Sequence, residues 1–221
     1  MVKIGLRGSV IRNPEQRAEQ RRQILLAAGK VFARKGYAAA KMDDIAAEMG
    51  GSKGILYYQF KSKQDVIVET RREASGSAAD KLQEIAARPL PVLERLELAM
   101  RHLIGTTFEE LARHVILTPV TIGLDKEHMA AVREVERRYE ALLIALLEEG
   151  MRKGVIVPCN AKVMAFTMIR TAMSPASWFH EDGEASKEQT IEIVTGMLMR
   201  SVAADTGERH PRVATSRRRE K

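Results

Sequence analysis

Apolar residues recur along this chain at spacings of three and four rather than two, so the pattern predicts helices throughout and no strand runs. Pro14 suits a first helical turn, and the helix it opens carries Ile24, Ala28, Val31 and Phe32 on one face to Lys35, where Gly36 ends it. A short helix follows with Ile45, Ala46 and Met49 as its apolar stripe, then Gly50 and Gly51, then a second short helix that Ser52 can cap. Ser62 can cap a long helix running through Val66, Ile67 and Thr70 toward Ala87, with a bend expected near Gly76. The break Arg88-Pro89-Leu90-Pro91 separates it from helices over Val92–Gly105, Thr107–Leu117, Lys126–Lys153, Ala161–Met173 and Ser186–Ala204. In the longest of these, Met129, Val132, Val135, Tyr139, Leu142, Leu143, Leu146 and Leu147 form a sustained stripe, read first as a packed structural face.

The two short helices around the glycine pair form a helix-turn-helix. Glycine at the turn adopts φ > 0 without a Cβ penalty. Leu56 and Phe60, four apart, face inward, which leaves Lys53, Ile55, Tyr58 and Tyr57 directed outward or sideways. A tyrosine pair on an exposed short helix suits phosphate contacts in a DNA groove.

Charge supports that placement. Residues 1 to 63 hold 13 Lys/Arg against 5 Asp/Glu, residues 64 to 205 hold 17 against 22, and residues 206 to 221 hold 6 against 2. A basic segment coincident with the helix-turn-helix is the electrostatic footprint of a phosphate-binding surface, while the acidic remainder argues against general stickiness. The organisation expected is a basic flexible arm over 1–13, a helix-turn-helix domain over 14–62, a helical body over 63–204 and a basic disordered tail over 205–221. At 221 residues and 45% hydrophobic content the chain can bury a substantial core. No apolar run approaches the ~18 residues of a membrane span, and the start lacks the apolar region of a secretory signal. A cytoplasmic protein without membrane attachment is expected.

The run LLAAGKVFARKGY, then M-D-D-I-A, G-x-S-K-G-x-L-Y-Y-x-F and FKSKQDV closely resembles the amino-terminal domain of the TetR family of ligand-responsive bacterial repressors. The resemblance covers about the first third of the chain. It implies an all-α fold with an N-terminal three-helix DNA-binding domain and a C-terminal helical domain for ligand binding and dimerisation. It also implies double-stranded operator DNA, a second copy of the chain and a small-molecule effector as partners. The DNA-facing residues it points to are Lys41, Met42, Ser52, Lys53, Gly54, Ile55, Tyr57, Tyr58 and Lys63.

Two departures from the family pattern matter. Relatives carry Thr or Ser at the cap of the second helix, where this chain has Ala40 and Lys41, so a side-chain cap worth about 1 kcal/mol is missing, though Lys41 can still reach a phosphate. Relatives favour Val after the turn glycine and Thr in the recognition helix. Here Gly51 removes a core side chain, and Ile55 offers an apolar surface suited to thymine methyls.

Catalytic and metal chemistry find no footing. His102, His114, His128, His180 and His210 lack ligand spacing, Cys159 is the single cysteine, and adjacent acids such as Asp43-Asp44 and Glu148-Glu149 diverge on a helix. Gly50-Gly51-Ser52-Lys53-Gly54 lacks the spacing and preceding strand of a phosphate loop. No catalytic residue, metal or cofactor is expected; Asp43 and Asp44 stabilise a helix amino terminus instead.

In the body, Met100, Leu103, Ile104, Phe108, Leu111, Val115, Met129, Val132, Met164, Met168 and Trp178 are candidate pocket lining, with methionines suited to an adaptable cavity and ordinary core packing as the alternative for each. His102, His114 and Arg170 are the polar groups available to an acidic or thioester head. Phe166, Ile169 and Met173 on one helix, with Ile191, Val194, Met197 and Leu198 on the other, are candidates for a four-helix dimer interface. The stretch from Ala176 to Gln189, A-S-W-F-H-E-D-G-x-x-S-K-E-Q, resembles a join found in TetR-type regulators of fatty, steroid and aromatic acid catabolism, several of which respond to acyl-CoA thioesters. Its second half also has a local reason, a capping box between Ser186 and Gln189.

Three function classes stand open at this level: a ligand-responsive repressor acting as a homodimer, a small helical enzyme, and a DNA-binding protein without an effector. Polar groups converging in a pocket would favour the enzyme, and a cavity too small for a ligand would favour the third.

Overall fold

The computed structural model describes residues 13–51, 53–118 and 123–204. The expected arm up to residue 12, the expected tail from residue 205 and the cap at Ser52 lie outside the described residues. Helices occupy α1 (Pro14–Lys35), α2 (Met42–Glu48), α3 (Lys53–Gln59), α4 (Lys63–Ala86), α5 (Val92–Thr106), α6 (Glu110–Leu117), α7 (Lys126–Arg152), α8 (Ala161–Met173), α9 (Pro175–Trp178) and α10 (Lys187–Val202).

Local chemistry sets most of these boundaries. The Asn13 side chain accepts from the Glu15 N–H ahead of Pro14, and Gly36 closes α1 at φ 76°. Lys41 supplies no side-chain cap to α2, but the Asp44 carboxylate accepts from the Lys41 N–H at 2.9 Å and from Lys35 Nζ at 2.6 Å, partly replacing it. Ser62 pairs with Asp65 in a reciprocal box at the start of α4, and Ser186 pairs with Gln189 at the start of α10. Gly50 takes φ 62° in the turn before α3.

Three expectations are corrected. The helix assigned from Thr107 begins at Glu110, because Thr107 and Phe108 N–H groups bond three residues back and their chain closes as a turn. α4 runs uninterrupted through Gly76. The four-residue α9, opened by Pro175, was not foreseen.

The helices enclose two apolar clusters. In the head, Ile24, Ala28, Val31, Phe32, Ile45, Leu56, Phe60, Val66 and Ile67 pack α1 to α3 against the first turns of α4. In the body, Leu82, Leu96, Met100, Ile104, Leu143, Leu147, Met168 and Leu198 join α4, α5, α7, α8 and α10. α4 belongs to both, so it carries the head into the body. Buried Arg95 fastens the far end of α4: its guanidinium donates to Ala86 O, Leu90 O and the Glu149 carboxylate, holding Glu149 down to about 2 and closing the proline break. At the end of α7, a Cβ on Gly150 would lie 2.4 Å from Ile156 Cδ1, so only glycine admits that side chain. Ile156 pairs with Ala203 in an isolated antiparallel bridge, flanked by Val157 N–H to Val202 O at 2.9 Å and Ala204 N–H to Val155 O at 3.0 Å.

Candidate nucleic-acid interface and adjoining body

α3 is seven residues long, too short to persist alone, and is held by burying Leu56 while Phe60 anchors the residue beyond its end. That anchoring turns Tyr57 and Tyr58 to solvent, Tyr58 with 74% of its surface open. Lys53 is exposed at the first turn and pairs with Asp43 of α2 at 2.8 Å, a contact that raises its pKa. Lys41 is exposed at the start of α2, with Met42 half-buried behind it against the head core. Gly54 lies in the first turn of α3. Ile55, expected to face outward or sideways, is half-buried against the head cluster, leaving only part of its surface for a base edge. α3 is braced from α1 and α4 by Gln59 Nε2 to Gln20 at 3.0 Å, Arg21 to Glu69 at 2.6 Å and Arg21 stacked 4.8 Å over the Phe60 ring.

Lys63 is a correction. Its ammonium points inward, donating to Tyr37 O at 2.7 Å, Ala40 O at 2.8 Å and Ala38 O at 3.2 Å, with the Tyr37 ring 4.5 Å away. The α1–α2 turn leaves these carbonyls without helix partners, and an ammonium with three donors satisfies all of them. Lys63 braces the turn instead of projecting toward a phosphate, and burial lowers its pKa.

Head and body meet along two seams. On one, Gly29 of α1 lies against α6 so closely that an added Cβ would stand 3.2 Å from His114 Cβ and 3.3 Å from Leu111 Cδ1, and Lys30 pairs with Glu110 at 2.8 Å. On the other, Gln64 and Asp125 exchange two hydrogen bonds, and His128 sits between Asp65 and Asp125.

The expected pocket residues divide among different environments. Met100, Leu103, Ile104 and Met168 are buried in the body core, with Phe108 and Met164 packed against it. Phe108 meets Phe179 edge-on at 4.8 Å. Val115 and Val132 are buried and Met129 half-buried, outside the main body cluster. Leu111 contacts α1 at Gly29, so it belongs to the head–body seam. Trp178 is 50% exposed, its indole N–H on Ser174 Oγ at 3.3 Å, and does not line an enclosed space.

The three polar candidates do not converge. His102 is half-buried on α5 and feels Lys81 and Glu84 of α4, His114 lies at the Gly29 seam, and Arg170 is exposed. Burial lowers the pKa of both histidines. A further cation, half-buried Arg71 of α4, donates to Glu136 of α7 at 2.9 Å and to Thr118 O at 2.6 Å, with its Nε–H buried and unpaired. One helical turn along α7 from Glu136, the Tyr139 hydroxyl is also buried and unpaired, its pKa raised by burial. Nothing in the spacing around Arg71 marks it; its partners are 47 and 65 residues away. Among the described residues no cluster of His, Cys, Asp and Glu is arranged to hold a metal, and no helix is long and apolar enough to cross a membrane.

On α8 and α10 the proposed interface residues also divide. Phe166, Ile169, Met173 and Ile191 are half-buried and Met197 is exposed, but Val194 and Leu198 turn inward to the protomer's own core. The open apolar stripe instead includes Val163 and Ile193, each 62% exposed. Ile193 and Met197 lie four apart, a spacing readable in the sequence once the inward face is assigned to Val194 and Leu198.

Residues 24–70 match the family model described as bacterial regulatory proteins, tetR family, and residues 89–202 match the tetracyclin repressor-like C-terminal domain. The transcriptional activator FasR of Mycolicibacterium smegmatis is 38% identical over 80% of each chain. The transcriptional repressor KstR2 of the same organism is 26% identical over 89% of this chain and 97% of its own. Among solved structures, AibR in complex with isovaleryl coenzyme A and operator DNA superposes with a TM-score of 0.71 at 22% identity, covering 81% of this chain and 98% of AibR.

Proposed function

Because this chain belongs to the TetR family of bacterial transcriptional regulators, we propose that it binds a pseudo-palindromic operator as a homodimer and releases it when a small apolar acid, as its acyl-CoA thioester, occupies the body. The carrying observation is α3: a helix locked by Leu56 that presents Tyr57, Tyr58 and Lys53 outward from the basic first 63 residues of the chain. In this reading Lys41, Lys53, Tyr57 and Tyr58 hold phosphates, and the exposed part of Ile55 with the backbone at Gly54 meets base edges. Two such heads read successive major grooves about one turn, ~34 Å, apart. Support for the ligand class comes from AibR, which binds isovaleryl coenzyme A together with operator DNA. The methionine-rich body core, Met100, Met164 and Met168, offers an adaptable apolar wall for an acyl chain. The ligand acts through its differential affinity for two arrangements of the heads, transmitted by α4.

The sign of the output has one competing reading, activation, favoured by the 38% identity to an activator. Repression is the primary reading because ligand-driven release needs only a shift in head position. The test starts from an operator selected out of random duplex DNA and followed by fluorescence anisotropy with acyl-CoAs of stepped chain length. Each buried CH₂ contributes ~0.8 kcal/mol, so displacement should sharpen about fourfold per methylene that the body buries. A flat response across short, long, steroid and aromatic thioesters removes the ligand class. Unchanged affinity in both Lys53→Ala and Tyr58→Ala removes α3 as the reading helix. A promoter–reporter pair carrying the operator separates repression from activation.

A further inference from the structure

His128, in the first turn of α7, faces a carboxylate at each ring nitrogen: Nδ1 is 2.8 Å from Asp125 Oδ1 and Nε2 is 3.2 Å from Asp65 Oδ1. A neutral imidazole has one N–H and one lone pair, so either tautomer sets a lone pair against a carboxylate oxygen. Only the imidazolium donates to both. The two carboxylates belong to different bodies of structure. Asp65 completes the cap of α4, accepting from Ser62 N–H and Ser62 Oγ, both at 2.9 Å, immediately after the reading helix. Asp125 caps α7, accepting from the His128 N–H at 2.9 Å. Gln64 adds a neutral clip beside them, its amide donating to Asp125 Oδ2 at 3.0 Å and accepting from Asp125 N–H at 2.7 Å.

We propose that His128 is a positioning residue for operator binding: its imidazolium bridges the cap of α4 to the cap of α7, fixes the reading head relative to the body, and lets the head swing when it loses its proton.

The surrounding charges leave this bridge to His128. Lys63, the nearest cation on α4, spends its donors on Tyr37, Ala38 and Ala40 carbonyls. Tyr37 is pushed up to about 12 by burial and by Asp125, so it is neutral when the histidine titrates. Lys126 and Glu127 flank the site from exposed positions. Among the described residues neither Asp65 nor Asp125 has another cationic partner. The hydrogen bonds its ring donates to Asp125 and then to Asp65 raise the histidine's pKa. A raised pKa means the bridge is complete below the ordinary histidine value and is lost as pH climbs through the higher one. The direction is therefore tighter operator binding at pH below the histidine's titration and weaker binding above it.

Two measurements on the full-length protein test this. The first needs no DNA: long-range ¹H–¹⁵N spectra of the imidazoles should show His128 titrating above the ordinary histidine value. The second follows affinity for the selected operator at fixed ionic strength from about pH 6 to about pH 9, the range that brackets histidine titration. Wild type should lose roughly tenfold across it. His128→Gln should be flat at the weaker level, and His128→Arg, cationic throughout, should be flat near the tighter one; a merely structural role predicts no such rescue. The proposal is overturned if His128 titrates at or below the ordinary value, or if wild type and His128→Gln share one pH profile. A chain that binds no selected DNA at any pH removes the operator reading itself, and the imidazole titration still decides the bridge.

Discussion

An ammonium group can answer a phosphate or a row of carbonyls, and Lys63 is committed to the second. The distinction is measurable because each phosphate contact contributes about one to the slope of log affinity against log salt. Lys63→Met should weaken operator binding severalfold, by loosening the α1–α2 turn, and leave that slope unchanged. Lys41→Ala should lower the slope by about one. If Lys63→Met lowers it equally, the ammonium leaves its carbonyls on DNA and the brace is not its role. The residues legible in the sequence were those whose signal is local: the caps Ser62 and Ser186, the stop at Gly36, the buried pair Leu56 and Phe60. Those that were not legible act across long separations. In the sequence Arg71 and His128 look like ordinary surface and Lys63 looks like a phosphate contact, and only their partners elsewhere in the fold give them their roles.

At the scale of elements, periodicity located the helices well and their packing poorly. α8 was placed to the residue, because Asn160 and the end at Met173 are local events, whereas α6 was extended by a turn that hydrogen bonds at Thr107 and Phe108 close. Val194 and Leu198, on the inward face of α10, are expected from spacing at a dimer interface because Ile191, Val194 and Leu198 form one stripe and Ile193 and Met197 another, and spacing alone does not rank them. The α1–α6 seam is the packing feature with the sharpest test. A methyl at Gly29 would press on His114 Cβ, an atom that cannot retreat without moving α6. Overpacking costs about 1–3 kcal/mol, and alanine recovers roughly 0.5–1 of it in a helix interior. Gly29→Ala should therefore lower Tm by a few degrees, about 2–4 °C per kcal/mol in a chain of this size, and shift operator affinity with it. An unchanged melt would mean that the two helices separate freely, and would remove this seam as a coupling route.

For the whole molecule, the proposed pairing of two chains falls on the open stripe of Val163, Ile193 and Met197 with half-buried Phe166 and Ile169. A charge there should oppose assembly without damaging the protomer core, since Met197 is exposed. Met197→Asp should give a monomer by light scattering at micromolar concentration and lose operator binding with it; a wild-type monomer under the same conditions would sink the assembly. The stripe lies within an excursion of the chain whose ends meet: Val155 and Val157 are hydrogen-bonded to Ala204 and Val202. Met168, Val194 and Leu198 also pack the segment onto the body core, so its opening is a sub-global event that breaks that packing together with the bridge. Amide exchange at Val157 and Ala204 would then report the opening of the entire α8–α10 module. Those two amides should exchange slowly in the dimer and faster in Met197→Asp, so that the grip between two chains can be timed from the clasp where the segment's ends meet.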